Sequence, residues 1–183
     1  LDNDTAGIIV APASGLITTE TGGTDTFTVV LRSQPTASVT LSLVSSRPGE
    51  GLPTPTSLTF TTANWNAPQT VTVTGIDDAF VDGNQVYTIA TNPATSTDAN
   101  YDGLDAADVS ITNLDNDSAG IRVSPTTGLV TSEVGQSDVF TVHLLSQPTV
   151  SVTINLASSD LTEGTIVPSS LTFTTANWNQ PQS

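Results

Sequence analysis

The chain repeats itself. Leu1-Asp2-Asn3-Asp4 returns as Leu114-Asp115-Asn116-Asp117, an offset of 113 residues taken from Asp2 to Asp115, and the offset then holds without a gap. Ala6-Gly7 becomes Ala119-Gly120, Glu20 becomes Glu133, and Ser33-Gln34-Pro35-Thr36 becomes Ser146-Gln147-Pro148-Thr149. The stretch from Ser57 to Asn66 reappears unchanged from Ser170 to Asn179. Self-similarity at a fixed period marks an array of structural units, so one folding unit must fit inside one period. Residues 1–113 are expected to form a complete module. Residues 114–183 are expected to be a partial second copy, lacking counterparts of Val71 to Asn113.

Within the module the apolar period is two, as in Phe27, Val29 and Leu31 or Leu58 and Phe60, with Thr and Val between them in the manner of half-buried strands. The pattern predicts strands at about 8–11, 15–20, 25–33, 38–46, 57–62, 69–76, 85–92 and 107–114, separated by Gly, Pro, Asn and Asp clusters. Helix signals are nearly absent. Short strands at this spacing predict an all-β fold of tandem immunoglobulin-like antiparallel β-sandwich modules with Greek-key connections, in preference to a closed barrel. Trp65 and Trp178 follow the strands carrying Phe60 and Phe173, where each ring is expected to cap one end of a core rather than stack on a ligand. His143 stands where the first module has Val30, which makes it a substituted strand position and not a general base.

Charge removes several function classes. Three Lys and Arg against 18 Asp and Glu give a net charge of −15, which argues against nucleic acid or an anionic membrane as partner and makes cations the natural counterpart. No apolar run approaches the roughly 18 residues of a membrane span, so membrane insertion is not expected. With no Cys and a single His there is neither a disulfide framework nor a thiolate or histidine metal site. Enzyme activity is not expected, because the carboxylates sit on turns without a basic residue to bind substrate or an apolar pocket between strands.

The carboxylates themselves are not scattered. Following strand direction, the segment ending at Glu20 runs down, 25–33 runs up and 38–46 returns to the turn Arg47-Pro48-Gly49-Glu50. Strand 69–76 then descends to Asp77-Asp78, 85–92 rises, and the last strand descends to Asp115 and Asp117. Glu20, Glu50, Asp77, Asp78, Asp82, Asp115 and Asp117 are all sent to one pole. Acidic turns are often solvated punctuation, but turn preference does not explain their gathering at one end. So many anions repel one another unless a cation joins them. Calcium, with six to eight oxygen ligands and tolerance of irregular geometry, suits such a set better than magnesium.

These residues resemble a Calx-beta type repeat: Glu20 ahead of the Gly22-Gly23 turn, a strand ending in Ile76-Asp77-Asp78, Asp82 beyond it, and a closing strand ending in Leu114-Asp115-Asn116-Asp117. The order of these short motifs carries the resemblance, which spans the first module and the partial copy. It implies that Glu20, Asp77, Asp78, Asp82, Asp115 and Asp117 ligate calcium at the exit pole of a sandwich of bacterial secreted or surface proteins. Two departures imply fewer ions or weaker binding. Arg47 stands where the family tends to carry an Asp, which the second copy has as Asp160, and the acidic pair after the doublet shrinks to Asp82-Gly83-Asn84.

At the opposite pole, Asp98-Ala99-Asn100-Tyr101-Asp102-Gly103 matches the start of an EF-hand loop, but Val109 occupies the position of the closing Glu and no helices flank it. A turn is expected there, with Tyr101 pinning the loop to the core. Asn3-Asp4-Thr5 and Asn116-Asp117-Ser118 fit the N-glycosylation pattern but fall in the acidic cluster. The function expected from all this is an extracellular structural repeat: a calcium-rigidified spacer or stalk of a surface adhesin or filament, secreted or at the cell surface. Its partners would be neighbouring repeats of the same chain or identical chains, including a homopolymer. Two alternatives stay open. One is a ligand- or glycan-binding adhesion module, although few exposed aromatics or Arg are available as anchors. The other is a filament subunit completed head to tail by strands of a neighbouring chain, since the 70 residues from 114 to 183 leave strand edges of a sandwich bare. An arbitrary window from a longer repeat array would look the same.

Overall fold

The computed structural model describes residues 4–183. The first unit comprises residues up to Asp78 together with Asp82–Asn116, and the second comprises Ala79–Val81 and Asp117–Ser183.

In the first unit the period-two pattern becomes strands β1 (Ile8–Ala11), β2 (Leu16–Thr19), β3 (Thr24–Leu31), β4 (Val39–Ser45), β5 (Gly51–Thr54), β6 (Ser57–Phe60), β7 (Gln69–Gly75), β8 (Gln85–Thr91), β9 (Thr95–Ser96) and β10 (Val109–Leu114). One sheet has the order β1-β3-β7-β5, and the other the order β2-β10-β8-β4-β6 with β9 also on β4. Along β4 burial alternates strictly, inward at Val39, Leu41 and Leu43 and outward at Thr40, Ser42 and Val44. The inward faces of both sheets meet in one core, in which Phe27, Val29 and Val73 of the first sheet join Leu41, Phe60 and Ile111 of the second. Each such side chain contributes about 1.5–3 kcal/mol by leaving water, which makes the two-sheet packing the main source of stability. Trp65 packs against this core, and its carbonyl accepts from Leu31 N–H at 3.1 Å.

The architecture is the immunoglobulin-like all-β sandwich, with three local departures from the sequence pattern. β5 is absent from the predicted strands because Gly51 and Pro53 read as turn residues. It forms at the edge of its sheet, the place where a proline without an N–H is tolerated. β9 is a two-residue strand too short to carry a period. β2 and β10 run parallel, with Ile111 opposite Leu16, whereas only antiparallel pairs were expected. The parallel pair arises because the chain leaves the first sheet after β1, turns at Gly15 with φ of 81° and enters the second sheet in an unchanged direction. Glycine reaches that φ without the penalty of a side chain.

The second unit keeps counterparts of four strands: β11 (Ile121–Ser124) paired with β12 (Thr141–Leu144), and β13 (Val152–Asn155) paired with β14 (Ser170–Phe173). Its core is Val142, Leu144, Leu171 and Phe173, with Trp178 packed against them. His143 lies in β12 opposite Arg122. Gln147 N–H donates to the Ala79 carbonyl at 2.7 Å, which is how a piece of the β7–β8 loop belongs to this unit.

Candidate metal centre

Strand direction puts the carboxylates where the sequence sends them. β3 runs against β7, β4 against β8, and β8 against β10, while β10 runs with β2. The ends of β2, β7 and β10 and the β4–β5 turn therefore meet at one pole of the first unit. Backbone bonds tie this pole together: Glu20 N–H donates to the Leu114 carbonyl at 3.1 Å, Ile76 N–H to the Glu50 carbonyl at 3.0 Å, and Gly75 N–H to the Gly23 carbonyl at 3.0 Å.

Two acidic groups form there. Glu50, Asp78 and Asp82 each offer an oxygen within 4.8 Å of the others, and Glu20 and Asp115 do the same at the ends of β2 and β10. Glu20 is buried, and its Oε2 accepts Asn116 N–H at 2.9 Å. Asp115 Oδ2 accepts Gly83 N–H at 2.7 Å, while its own N–H donates to Asn84 Oδ1 at 3.1 Å. Asp77 belongs to neither group among the described residues; its Oδ1 accepts the side-chain amide of Asn116 at 3.0 Å. Asp117 opens the second unit and is half-buried there, two residues along the chain from Asp115.

Glu50 is the member that the resemblance does not supply, although strand direction alone sends it to this pole. Its neighbours explain its position. Asn113, buried at the end of β10, donates from Nδ2 to the Ile76 carbonyl at 3.1 Å and to Glu50 Oε2 at 3.4 Å, and accepts Thr18 Oγ1 at 3.0 Å. Thr18 Oγ1 also bonds the Tyr87 hydroxyl at 3.1 Å. Burial pushes the Tyr87 phenol above its usual range, the bond to Thr18 works the other way, and the charge of Glu50 adds to the rise. Asn113 gives no sequence signal, because an inward polar residue on a strand looks like any other break in the apolar alternation. Arg47 points along the same surface: its Nη1 donates to Gln85 Oε1 at 2.6 Å, and Gln85 Nε2 donates to the Asp82 carbonyl at 2.9 Å.

The donor set fits calcium. All the grouped atoms are hard carboxylate oxygens, and two ligands at about 2.3–2.6 Å from one ion stand at most about 5 Å apart, so three oxygens confined to 4.8 Å can share it. Glu50 lies on the β4–β5 turn and Asp78 and Asp82 on the β7–β8 connection, and both segments cross from one sheet to the other.

The acidic segment at the far pole does different work. Asp98 Oδ2 accepts Thr36 N–H at 2.7 Å and Oδ1 accepts Asn100 N–H at 3.0 Å, while Asp102 Oδ1 accepts Ser96 N–H at 3.1 Å. The Thr36 and Asn100 bonds hold the Asp98 carboxyl below the usual carboxylate range. Tyr101 is buried, and its hydroxyl donates to the Ser33 carbonyl at 2.6 Å and accepts Ser33 N–H at 3.2 Å. The segment is a turn pinned by its tyrosine, as the sequence suggested. In the second unit the Asp160 carboxyl is held low first by the Thr162 hydroxyl and then by Thr162 N–H. Of the two glycosylation patterns, Asn3 lies outside the described residues, and the Asn116 amide is engaged with Asp77.

No protein-family model matches the chain, and no curated protein matches it. Solved structures do. The chain is similar to the apo form of a Calx CBD1 domain, with TM-score 0.45 and 17% identity over 63% of this chain and 99% of that one. It is similar to the calcium binding domain CBD12 of CALX1.1, with TM-score 0.47 and 16% identity over 80% of this chain and 61% of that one. It is also similar to the periplasmic chaperone SfaE, with TM-score 0.47 and 8% identity, covering 60% of this chain and 58% of the chaperone. Calx calcium-binding domains and a periplasmic chaperone thus both stand among the fold's neighbours, and the likeness is one of fold. No helix among the described residues is long and apolar enough to cross a membrane.

Proposed function

We propose that this chain is an extracellular structural repeat of Calx-beta type, a spacer whose exit pole binds calcium and is stiffened by it. The observation that carries the reading is the convergence of Glu50, Asp78 and Asp82 within 4.8 Å from two different connections between the sheets. An ion held there ties the β4–β5 turn to the β7–β8 connection, so the two sheets cannot splay at that end. Glu20 and Asp115 form the second part of the site, with Asp77 and Asp117 next to them in the chain. Through Asn116, bonded to Glu20 and Asp77, the same pole fixes the path on which the chain leaves the module. The module needs no catalytic residues for this role. A chain of net charge −15 without cysteines gains its rigidity outside the cell from a cation instead of disulfides.

The test is thermal unfolding of the whole chain with calcium and with a chelator, alongside calorimetric titration of the metal. Calcium at 100 times its dissociation constant stabilises a folded state by about 2.7 kcal/mol, about 10 °C in melting temperature for a unit of this length. Identical melts in the two buffers, with no heat of binding, remove the calcium reading.

A further inference from the structure

We propose that Thr18 and Asn113 are a self-reacting pair: the Thr18 hydroxyl displaces ammonia from the Asn113 side-chain amide and leaves an ester that joins β2 to β10. The proposal does not depend on calcium. In chain order β2 and β10 are the first and last strands of their sheet, yet they lie side by side, with Thr18 directly opposite Asn113. Both side chains turn into the sandwich on the same face as Leu16 and Ile111, and Thr18 is 0% and Asn113 1% exposed. Thr18 Oγ1 donates to Asn113 Oδ1 at 3.0 Å, so the carbonyl carbon stands one bond of about 1.2 Å beyond the atom it touches, within reach of a side-chain rotation.

The surroundings hold the pair in this arrangement. Asn113 Nδ2 donates to the Ile76 carbonyl at 3.1 Å and to Glu50 Oε2 at 3.4 Å, which turns the amide oxygen toward Thr18. On its other side Thr18 Oγ1 bonds the Tyr87 hydroxyl at 3.1 Å. Two glycines make the room. A Cβ on Gly75 would collide with Asn113 Oδ1 and the Thr19 carbonyl, and a Cβ on Gly51 would collide with the Tyr87 hydroxyl. The second copy repeats the nucleophile and part of its surroundings as Thr131, Glu163 and Gly164, while the nearby Ile17, Thr19 and Arg47 change to Val130, Ser132 and Asp160.

A hydroxyl fixed against an amide reacts within the molecule, at an effective concentration far above that of any nucleophile in solution. Burial matters as much, because water kept out of the site cannot hydrolyse the product. The step balances. Oγ1 bonds to Cγ, the Oγ1 proton passes to Nδ2, its neighbour on the same carbon, and the Cγ–Nδ2 bond breaks to release ammonia. No electrons are gained or lost and no co-reactant is consumed, and the escape of ammonia into dilute solution draws the step forward. The ester spans 95 positions, most of the module, and a cross-link over a long loop restricts the unfolded chain most. A pull on the two ends of the module then runs through the ester, and the strands between Thr18 and Asn113 carry no load. A chain with no Cys thereby gains a covalent clamp.

The test is intact-mass spectrometry of the full 183-residue chain, followed by digestion and peptide fragmentation. The expected mass is that of the sequence less one ammonia, with a branched peptide in which Thr18 and Asn113 are joined and which mild alkali separates. Thr18→Val is expected to restore the full sequence mass. The full sequence mass in the parent, an ammonia deficit that maps to a linear peptide, a joined peptide that resists alkali, or a deficit that persists in Thr18→Val would each overturn the proposal. Identical melts with and without calcium leave these masses as they are, so the two readings fail separately.

Discussion

Asp82→Asn separates a calcium site from a merely acidic surface, because its effect should change sign with the buffer. Asp82 is exposed and shares a span of 4.8 Å with Glu50 and Asp78. At that distance two unit charges in a water-like dielectric repel by about 0.9 kcal/mol, and 0.1 M salt reduces this to roughly 0.5 kcal/mol. Neutralising Asp82 removes two of the three pairs in the group, so in a chelating buffer the variant should be more stable by about 1 kcal/mol, near 4 °C in melting temperature. In saturating calcium the same substitution removes a charged ligand, and the variant should melt below the parent. Differential scanning calorimetry of both proteins in both buffers reads all four numbers. A variant that is less stable than the parent in chelator, or a gap between the two that is the same in both buffers, would refute the reasoning.

At the opposite pole, Tyr101→Phe removes the hydroxyl bonded to Ser33 and should cost about 1–2 kcal/mol in urea unfolding. Because Asp98 and Tyr101 lie away from the pole of Glu50, Asp78 and Asp82, the proposed calcium affinity should not change in this variant; a changed affinity in calorimetric titration would count against two separate poles. Asp98→Asn tests the depressed carboxyl. A carboxyl held low in the folded state stabilises it above the unfolded value, near pH 4, and that contribution fades as the pH falls through the folded value. The parent should therefore exceed the variant in urea midpoint at pH 7, and that lead should shrink as the pH falls below about 4, whereas a lead independent of pH would contradict the assignment.

The period-two pattern was sufficient for most strands because half-buried sheets impose it, and β3, β4, β7, β8 and β10 fall within a few residues of the expected bounds. The alternation of strand direction likewise sent Glu20, Glu50, Asp77, Asp78, Asp82, Asp115 and Asp117 to one end without any coordinates. Both are one-dimensional properties: a period is visible along the chain, and sequential antiparallel strands reverse direction, the turn between β1 and β2 being the exception. What they could not decide was grouping. Asp77 and Asp78 are neighbours in sequence, yet Asp78 joins Glu50 and Asp82 while Asp77 is taken by Asn116. Adjacent residues on an extended chain point to opposite sides, and which side meets which loop depends on how the connections cross between sheets.

The same limit explains β5 and Asn113. A strand built from Gly51-Leu52-Pro53-Thr54 exists only because the edge of β7 is there to receive it, and a buried asparagine is tolerable only because Thr18, Ile76 and Glu50 satisfy its amide. The order of residues determined the module, its strands and the pole where its charges gather, since these follow from local alternation and chain direction. Which carboxylates share a centre was decided only by tertiary structure, because it depends on contacts between segments tens of residues apart.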